Sequence, residues 1–205
     1  EMFRKQAERF GTEVRFETGV EVDLSKRPFT VKTDQDNVFQ AETLIISTGA
    51  SAQYLGLENE TKLQGRGVSA CATCDGFFFK DKEVYVVGGG DSAAEEATFL
   101  TKFASKVNMV VRRDQMRASK IMADRAINNP KIEMLWKQNV TDVFGVDEGK
   151  VTGLELTHSD TGEKQKVSAD GLFLAIGHVP NTQLFQGVLD MDDVGYIKTV
   201  PGKTE

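Results

Sequence analysis

Two cysteines set three positions apart are the residues in this sequence best suited to chemistry. The run Cys71-Ala-Thr-Cys74 is followed directly by Asp75 and Gly76. Paired thiols at this spacing can exchange with a disulfide, and each exchange needs a thiolate to attack and a proton for the departing sulfur. The sequence therefore predicts a redox-active pair with Asp75 as its acid and base; the alternative is an aspartate that caps a turn before Gly76.

Two other uses of a cysteine pair compete with redox chemistry. A zinc site needs two further ligands, and the only histidines, His158 and His178, stand singly and far along the chain. Two inert, buried cysteines are the other alternative. Because the chain has only these two cysteines, they do not resemble the spread network of a secreted disulfide scaffold. We predict a redox pair and no metal.

A glycine-rich turn is the second chemical motif. Gly88-x-Gly90-x-x-Ala93 follows an apolar stretch and opens a helical one, which fits a dinucleotide-binding fingerprint. Gly88 permits the turn, Gly90 lets a pyrophosphate approach the backbone, and Ala93 keeps the helix close to the sheet. The first turn of such a helix also offers free N–H groups to phosphate. The alternative is a glycine turn kept only for packing.

Arginines at the end of the next predicted strand indicate which nucleotide binds. An NAD site usually carries an acidic residue there, whereas this chain has Arg112 and Arg113, with Arg117 one turn later. Guanidinium groups can pair bidentately with the 2′-phosphate of NADPH. The sequence therefore predicts NADPH rather than NADH, against the alternative of a solvated basic loop.

Apolar periodicity places these motifs at the ends of strands. It predicts an antiparallel meander over 14–39, a strand–helix–strand unit over 83–111, and apolar strands over 44–49 and 171–177 that both end in glycine. Residues 50–67 are interpreted as a polar connection. Helices are also predicted over 2–10 and 119–128, and strands over 132–135, 140–144, 153–157 and 165–167. The pattern indicates an α/β fold: a Rossmann-like dinucleotide-binding domain with a three-layer parallel sheet and helices, plus an antiparallel meander.

Composition narrows the classes of partner. The 205 residues carry a net charge of −6, which argues against nucleic acid as the main partner. No apolar run approaches the roughly 20 residues of a membrane span, and the first residues lack the apolar core of a signal peptide. We therefore expect no membrane association and a cytoplasmic protein.

Four segments in one order resemble the low-molecular-weight NADPH-dependent thioredoxin reductases. They cover most of the chain, which makes the resemblance specific. The segments are Gly65–Gly76, Val86–Ala97, Arg112–Lys120 and Ala175–Thr182.

The resemblance implies a homodimeric flavoenzyme whose FAD domain is interrupted in sequence by an NADPH domain. On this basis residues 1–51 are part of the FAD domain, 52–179 form the NADPH domain, and 180–205 are the return to the FAD domain. The resemblance also implies that Cys74 faces the flavin, that Cys71 exchanges with thioredoxin, and that Asp75 is the acid and base. Electrons would pass from NADPH to FAD, then to the disulfide, then to thioredoxin, as the NADPH domain rotates.

The same resemblance implies a set of cofactor-binding residues. Arg112, Arg113 and Arg117 would hold the 2′-phosphate. Glu96 and His178 would lie on the nicotinamide side, and Thr48 with Gly49 would contact FAD. The residues around the pyrophosphate and its strand ends would be Gly88, Gly90, Asp91, Ser92, Ala93 and Gly177.

Two departures from the family pattern are visible. The family commonly carries His before the arginine pair, where this chain has Val111. Members also begin with an FAD-binding Gly-x-Gly-x-x-Gly turn and end with a Gly-Asp motif, and this sequence contains neither. We therefore expect a fragment that does not retain FAD or turn over by itself, with apolar faces such as Phe3 and Phe10 exposed.

Three other functions fit parts of the sequence. An NADPH-binding module could sense redox state through its dithiol without turnover, and a bound flavin in the longer protein would distinguish an enzyme from it. A reductase could be fused to its own thioredoxin or to a peroxidase-reducing module. A flavin-dependent reductase that ignores NADPH would share the fold but lack the arginines.

Overall fold

The chain divides into two compact units. The computed structural model describes residues 1–203, so the last two residues of the predicted return segment lie outside the described residues. One unit contains Glu1–Ser51 and the described part of the chain from Val179 onward, and the other contains Ala52–His178. Assigning the first to FAD and the second to NADPH stays a prediction.

The first unit is built on the predicted antiparallel meander. Three short strands, β1 (Gly19–Asp23), β2 (Phe29–Thr33) and β3 (Val38–Ala41), pair antiparallel in the order β1-β2-β3, with Val22 opposite Val31 and Val31 opposite Phe39. A 3-10 helix at Gln183–Phe185 belongs to the same unit. Helix α1 (Met2–Glu8) precedes the three strands in the chain.

The strand predicted over 44–49 does not form. Residues 44–49 have no regular secondary structure, and Ile45 is 89% exposed. An apolar run becomes a strand only when a neighbouring strand pairs with its backbone, and no described strand pairs with this segment. Phe3 and Phe10 are also exposed, at 83% and 81%.

The second unit contains most of the regular structure. The elements that follow the meander, in chain order, are β4 (Ala50–Ala52), α2 (Glu58–Lys62), β5 (Val68–Ser69), α3 (Ala72–Asp75), a 3-10 helix (Gly76–Phe79), β6 (Glu83–Val87), α4 (Asp91–Leu100), β7 (Lys106–Val111), α5 (Lys120–Ile127), β8 (Ile132–Trp136), β9 (Gln138–Phe144), β10 (Gly153–His158), β11 (Lys164–Ser168), β12 (Gly171–Leu174) and β13 (His178–Pro180). Of these, β4 and β13 contain residues of both units, and the others between them belong to the second unit.

A five-stranded parallel sheet forms the middle layer of this unit. Its order is β5-β12-β6-β7-β8, and all four pairings are parallel. Strand residues alternate between its faces: Val84 and Val86 join the core under α4 and α5, whereas Tyr85 and Val87 join a second core with the antiparallel sheet β11-β10-β9. Burial on both faces explains why these strands are continuously apolar. The predicted α/β class is confirmed.

The predicted polar connection over 50–67 contains an unpredicted helix, α2. Its Glu60 is fully buried, and the carboxylate accepts hydrogen bonds from the N–H groups of Leu55, Gly56 and Leu57 at 3.0, 2.9 and 3.2 Å. A carboxylate in the first turn of a helix satisfies N–H groups that have no partner within the helix. A segment that looks polar in sequence is therefore ordered around a buried carboxyl group that accepts three backbone hydrogen bonds.

Within residues 1–203, no helix is long and apolar enough to cross a membrane.

Helix α4 packs into the core beneath the sheet, and Leu100 is the largest of its fully buried side chains. We expect Leu100→Ala to lower the free energy of unfolding by about 2–5 kcal/mol, because it removes buried methyl groups and leaves a cavity. Urea denaturation followed by the fluorescence of Trp136, the single tryptophan, reports on this unit.

The matched control is Ile121→Ala on α5, where the side chain is 73% exposed. It should change the free energy by less than about 0.5 kcal/mol. Equal effects of the two substitutions would contradict the placement of α4 in the core.

Candidate functional site

The predicted chemical motifs of the second unit meet at one edge of the parallel sheet. Parallel strands end on the same side, where α/β proteins bind ligands. The dithiol follows β5, the glycine turn follows β6, and the arginines follow β7. Gly177 lies beyond the end of β12.

The glycine turn contains two glycines that are needed for different reasons. Gly88 has φ +148°, and a Cβ there would lie 2.4 Å from the Ala175 carbonyl oxygen and 2.8 Å from the Ala93 side chain. Gly90 has φ −93°, and a Cβ on it would meet nothing within 4 Å. Packing therefore requires Gly88, but it does not require Gly90, whose open space faces the cleft beside α4.

The loop that contains Arg112, Arg113 and Arg117, here called the arginine loop, is held to the glycine turn by hydrogen bonds. The Gly89 carbonyl accepts from the N–H groups of Arg117 and Ala118 at 2.7 and 3.0 Å. Asp91 Oδ1 accepts from the N–H and hydroxyl groups of Ser119 at 2.8 and 2.9 Å. The two predicted motifs are therefore one structure, and Asp91 acts as its side-chain link.

The arginine side chains are available to an anion. Arg112, Arg113 and Arg117 are exposed, and none of them forms an ion pair with another residue in the described part of the chain. Three unpaired guanidinium groups beside one cavity attract phosphate. Val111, at the position where the family commonly has His, is buried under the turn against Gly89.

These elements enclose a cleft of about 650 Å³, a size typical of small-molecule sites. Asp91, Ala93, Glu96 and His178 do not line it; Ala93 is buried below the turn. The predicted residues that do line it are Gly88, Gly90, Ser92, Arg112, Arg113, Arg117 and Gly177. Lining residues that the sequence analysis missed include Gln53, Tyr54, Asn139, Val140 and Ile176.

Cys71 and Cys74 form a disulfide. Cys71 precedes α3, and its sulfur accepts a hydrogen bond from the Cys74 N–H at 3.2 Å. Cys74 is exposed and Cys71 is half-buried. Within residues 1–203, no group of three or more His, Cys, Asp or Glu residues could hold a metal ion.

Asp75 does not act as a cap in this structure. It precedes the 3-10 helix at Gly76–Phe79, but its side chain makes no capping hydrogen bond. Instead its Oδ2 accepts from the Ser69 hydroxyl at 2.6 Å. The carboxylate therefore lies within the dithiol turn, and Ser69, which the sequence analysis did not single out, is its hydrogen-bond donor.

Glu96 lies against α3, the short helix that contains Cys74 and is here called the dithiol helix, rather than in the cleft. Burial raises the pKa of its carboxyl to about 7. A backbone hydrogen bond from Ala72 acts to lower this pKa, and the negative charge of Glu95 acts to raise it. Its Oε2 is buried without a hydrogen-bond partner among the described residues. A carboxyl in this position destabilises the fold when it is charged.

Thr48 and Gly49, the predicted FAD contacts, belong to the first unit. Both are exposed, and Gly49 has φ +68°. Their carbonyl oxygens accept from the side-chain and backbone N–H groups of Asn181 at 3.0 and 2.9 Å.

We expect Glu96→Gln to stabilise the protein in a pH-dependent way. Because the folded state holds the Glu96 proton more tightly than the unfolded chain, the wild type loses stability as the pH rises from about 4.5 to about 7. After allowance for partial exposure to solvent, the gain from Glu96→Gln should be about 1 kcal/mol near pH 8 and close to zero near pH 4.5. Urea denaturation at the two pH values measures it.

Glu95→Gln is the control, because Glu95 is the exposed neighbour of Glu96 on the same helix. It should show no such pH-dependent gain. A gain for Glu96→Gln that is equal at both pH values would mean that burial does not raise the pKa of Glu96.

Comparison with known proteins agrees with this geometry. The family described as pyridine nucleotide-disulphide oxidoreductase matches residues 2–201. The chain is 51% identical over 201 residues to a thioredoxin reductase of Streptomyces clavuligerus and 50% identical over 206 residues to that of Rickettsia felis. These alignments cover 98% and 100% of this chain, which spans 62% and 66% of the two relatives.

Solved structures of thioredoxin reductases also resemble the fold of this chain. Thioredoxin reductase from Giardia duodenalis superposes with a TM-score of 0.81 at 40% identity, covering 98% of this chain and 66% of the other. The enzyme from Streptococcus pyogenes has a TM-score of 0.80 at 38% identity, with 98% and 65% covered. The family model matches almost the whole chain, and the structure contains a glycine turn of the dinucleotide-binding kind and a Cys71–Cys74 disulfide. The chain therefore belongs to the pyridine nucleotide-disulphide oxidoreductase family.

Proposed function

We propose that this chain carries the NADPH and dithiol part of a flavin-dependent enzyme that reduces the disulfide of thioredoxin. One observation carries the proposal. A disulfide and a cleft lined by a glycine turn and three arginines both lie at the carboxyl ends of the strands of one parallel sheet. The relatives named thioredoxin reductase support the choice of partner. NADPH would supply the reducing equivalents in the cleft, and a flavin would carry them to the Cys71–Cys74 disulfide.

The cleft residues fit NADPH. A Cβ on Gly90 would meet nothing within 4 Å, so the backbone is open at this point. Gly90 is the N-cap of α4 and lines the cleft with Ser92, and the first N–H groups of a helix favour phosphate. Arg112, Arg113 and Arg117 provide unpaired positive charge for a 2′-phosphate. Together these features favour NADPH over NADH.

Asp75 is proposed as the acid and base for the dithiol. Its carboxylate is half-buried in the same turn as the disulfide and is not occupied by a cap. It can take the proton from a thiol that becomes the attacking thiolate and return one to a departing sulfur. Cys71 is proposed to exchange with thioredoxin, and Cys74 to close the disulfide.

FAD binding, a homodimer and a cytoplasmic location are further parts of the proposal. Thr48 and Gly49, both exposed in the first unit, would contact FAD. A homodimer and a cytoplasmic location are proposed from the family resemblance, since a dithiol that reduces partners is maintained in a reducing compartment.

The nucleotide proposal predicts a charge-dependent preference. We expect the chain to bind NADPH more tightly than NADH, and Arg112→Ala/Arg113→Ala to weaken NADPH binding by about 10- to 100-fold, because charge-assisted hydrogen bonds to the 2′-phosphate are lost. NADH binding should change little. Calorimetric titration with both nucleotides measures the two affinities.

Arg125→Ala provides the control, since Arg125 is exposed on α5 and does not line the cleft. It should leave both affinities unchanged. Equal binding of the two nucleotides by the folded wild-type chain would remove the assignment of NADPH.

The roles of the two cysteines predict which mixed disulfide accumulates. With the reduced chain and oxidised thioredoxin, Cys74→Ser should trap a covalent complex through Cys71, because no second thiol remains to release it. Cys71→Ser should form much less of that complex. Non-reducing electrophoresis and mass spectrometry identify the species.

The structure makes this a demanding test, because Cys74 is the more exposed sulfur. Trapping through Cys74 instead would reverse the assigned roles. No covalent complex with either variant would favour a dithiol that senses redox state without reducing thioredoxin.

A further inference from the structure

Ser69 connects the parallel sheet to the dithiol. It is the last residue of β5 and pairs in register with Phe173 of β12. Its residue exposure is only 7%. A hydroxyl fixed by a paired strand is a rigid point from which a nearby side chain can be positioned.

The direction of each Ser69 hydrogen bond follows from its partners. The Cys71 N–H can only donate, so it donates to Ser69 Oγ at 3.0 Å. The serine proton is then free for Asp75 Oδ2 at 2.6 Å, much closer than the Cys71 carbonyl oxygen at 3.4 Å. One hydroxyl thus joins the backbone of the first cysteine to the carboxylate of Asp75.

This arrangement makes the two oxygens of Asp75 unequal. Oδ2 already accepts the Ser69 hydrogen bond at 2.6 Å, and the carbonyl oxygen of a protonated carboxyl group is a better acceptor than its hydroxyl oxygen, so a proton on Oδ2 would weaken this bond. Oδ1 accepts no hydrogen bond from any described residue. A proton on Asp75 therefore belongs on Oδ1.

We propose that Ser69 is a positioning residue for dithiol–disulfide exchange: it orients Asp75 and makes Oδ1 the atom that gains and loses the proton. The inference rests on the proposed function, in which Asp75 is the acid and base. Ser69 itself touches no reacting sulfur, because its hydrogen bonds go to the backbone of Cys71 and to Asp75.

The exchange balances with Asp75 as the carrier of one proton at a time. One thiol of the chain gives its proton to Asp75, attacks the partner disulfide and forms a mixed disulfide, and the departing partner sulfur takes that proton. The second thiol of the chain then gives its proton to Asp75, attacks the mixed disulfide and closes Cys71–Cys74. The second partner sulfur leaves as a thiol, so two electrons and two protons have moved to the partner.

A double-mutant cycle tests the proposal. The reduced chain is mixed with glutathione disulfide at about pH 7, and the rate of glutathione release is compared for wild type, Ser69→Ala, Asp75→Asn and the double variant. We expect Asp75→Asn to slow the reaction about 100-fold and Ser69→Ala about 10-fold. In the Asp75→Asn background, Ser69→Ala should have no further effect beyond about twofold.

Three controls separate positioning from a general loss of structure. Thr141→Ala removes a half-buried hydroxyl that bonds Glu155 and Thr157 in the antiparallel sheet, and it should leave the rate within about twofold. Ser69→Thr keeps the hydroxyl and should restore most of the rate. Ser69→Val has nearly the shape of Ser69→Thr without the hydroxyl, so this pair decides the matter if Ser69→Ala does not fold.

The outcomes distinguish the inference from the function on which it rests. An unchanged rate in Ser69→Ala, with Asp75→Asn slow, overturns the role of Ser69 alone. A slowing by Ser69→Ala that persists in the Asp75→Asn background also overturns it, because Ser69 would then not act through Asp75. An unchanged rate in Asp75→Asn overturns the acid–base role of Asp75, and with it the role of Ser69, while NADPH binding remains a separate measurement.

Discussion

The insertion of β12 between β5 and β6 is the constraint on which both parts of the candidate site depend. Leu172 pairs with Val68 on one side and with Tyr85 on the other. These partners are far apart in the sequence, so the sheet rather than the chain brings their strand ends together. Apolar burial on both faces of β12 stabilises that position, since Phe173 packs into one core and Leu172 into the other.

The two halves of the site use the sheet edge differently. The nucleotide half depends on backbone: Gly88 lets the turn approach Ala175, and Gly89 holds the arginine loop through its carbonyl. The dithiol half depends on side chains, because the Ser69 hydroxyl holds the carboxylate of Asp75, the last residue of the four-residue helix α3. Glu96 of α4 is a third carboxyl in this region, and its raised pKa shows that the surroundings disfavour its charge.

Much of the second unit was predictable because its signals are local. Strand alternation and the glycine fingerprint identified β6, α4 and β7, and the arginine positions followed from the end of β7. The segment over 44–49 failed because its apolar pattern describes what a strand would bury, not whether a neighbour is present to pair with it. Helix α2 was missed because Glu60 looks like a surface residue until three N–H groups are seen to surround it.

The sequence by itself determined the kinds of chemistry this protein can perform. Residue type and spacing indicated a dithiol with an adjacent carboxylate, a turn open to pyrophosphate and arginines suited to a phosphate. Only the tertiary structure decided which groups act together: that Asp91 ties the arginine loop to the turn, that Glu96 lies at the dithiol helix and not in the cleft, and that Ser69 holds Asp75. The physical reason is that a hydrogen bond depends on distances of about 3 Å between atoms, and the packing of distant strands and helices sets those distances.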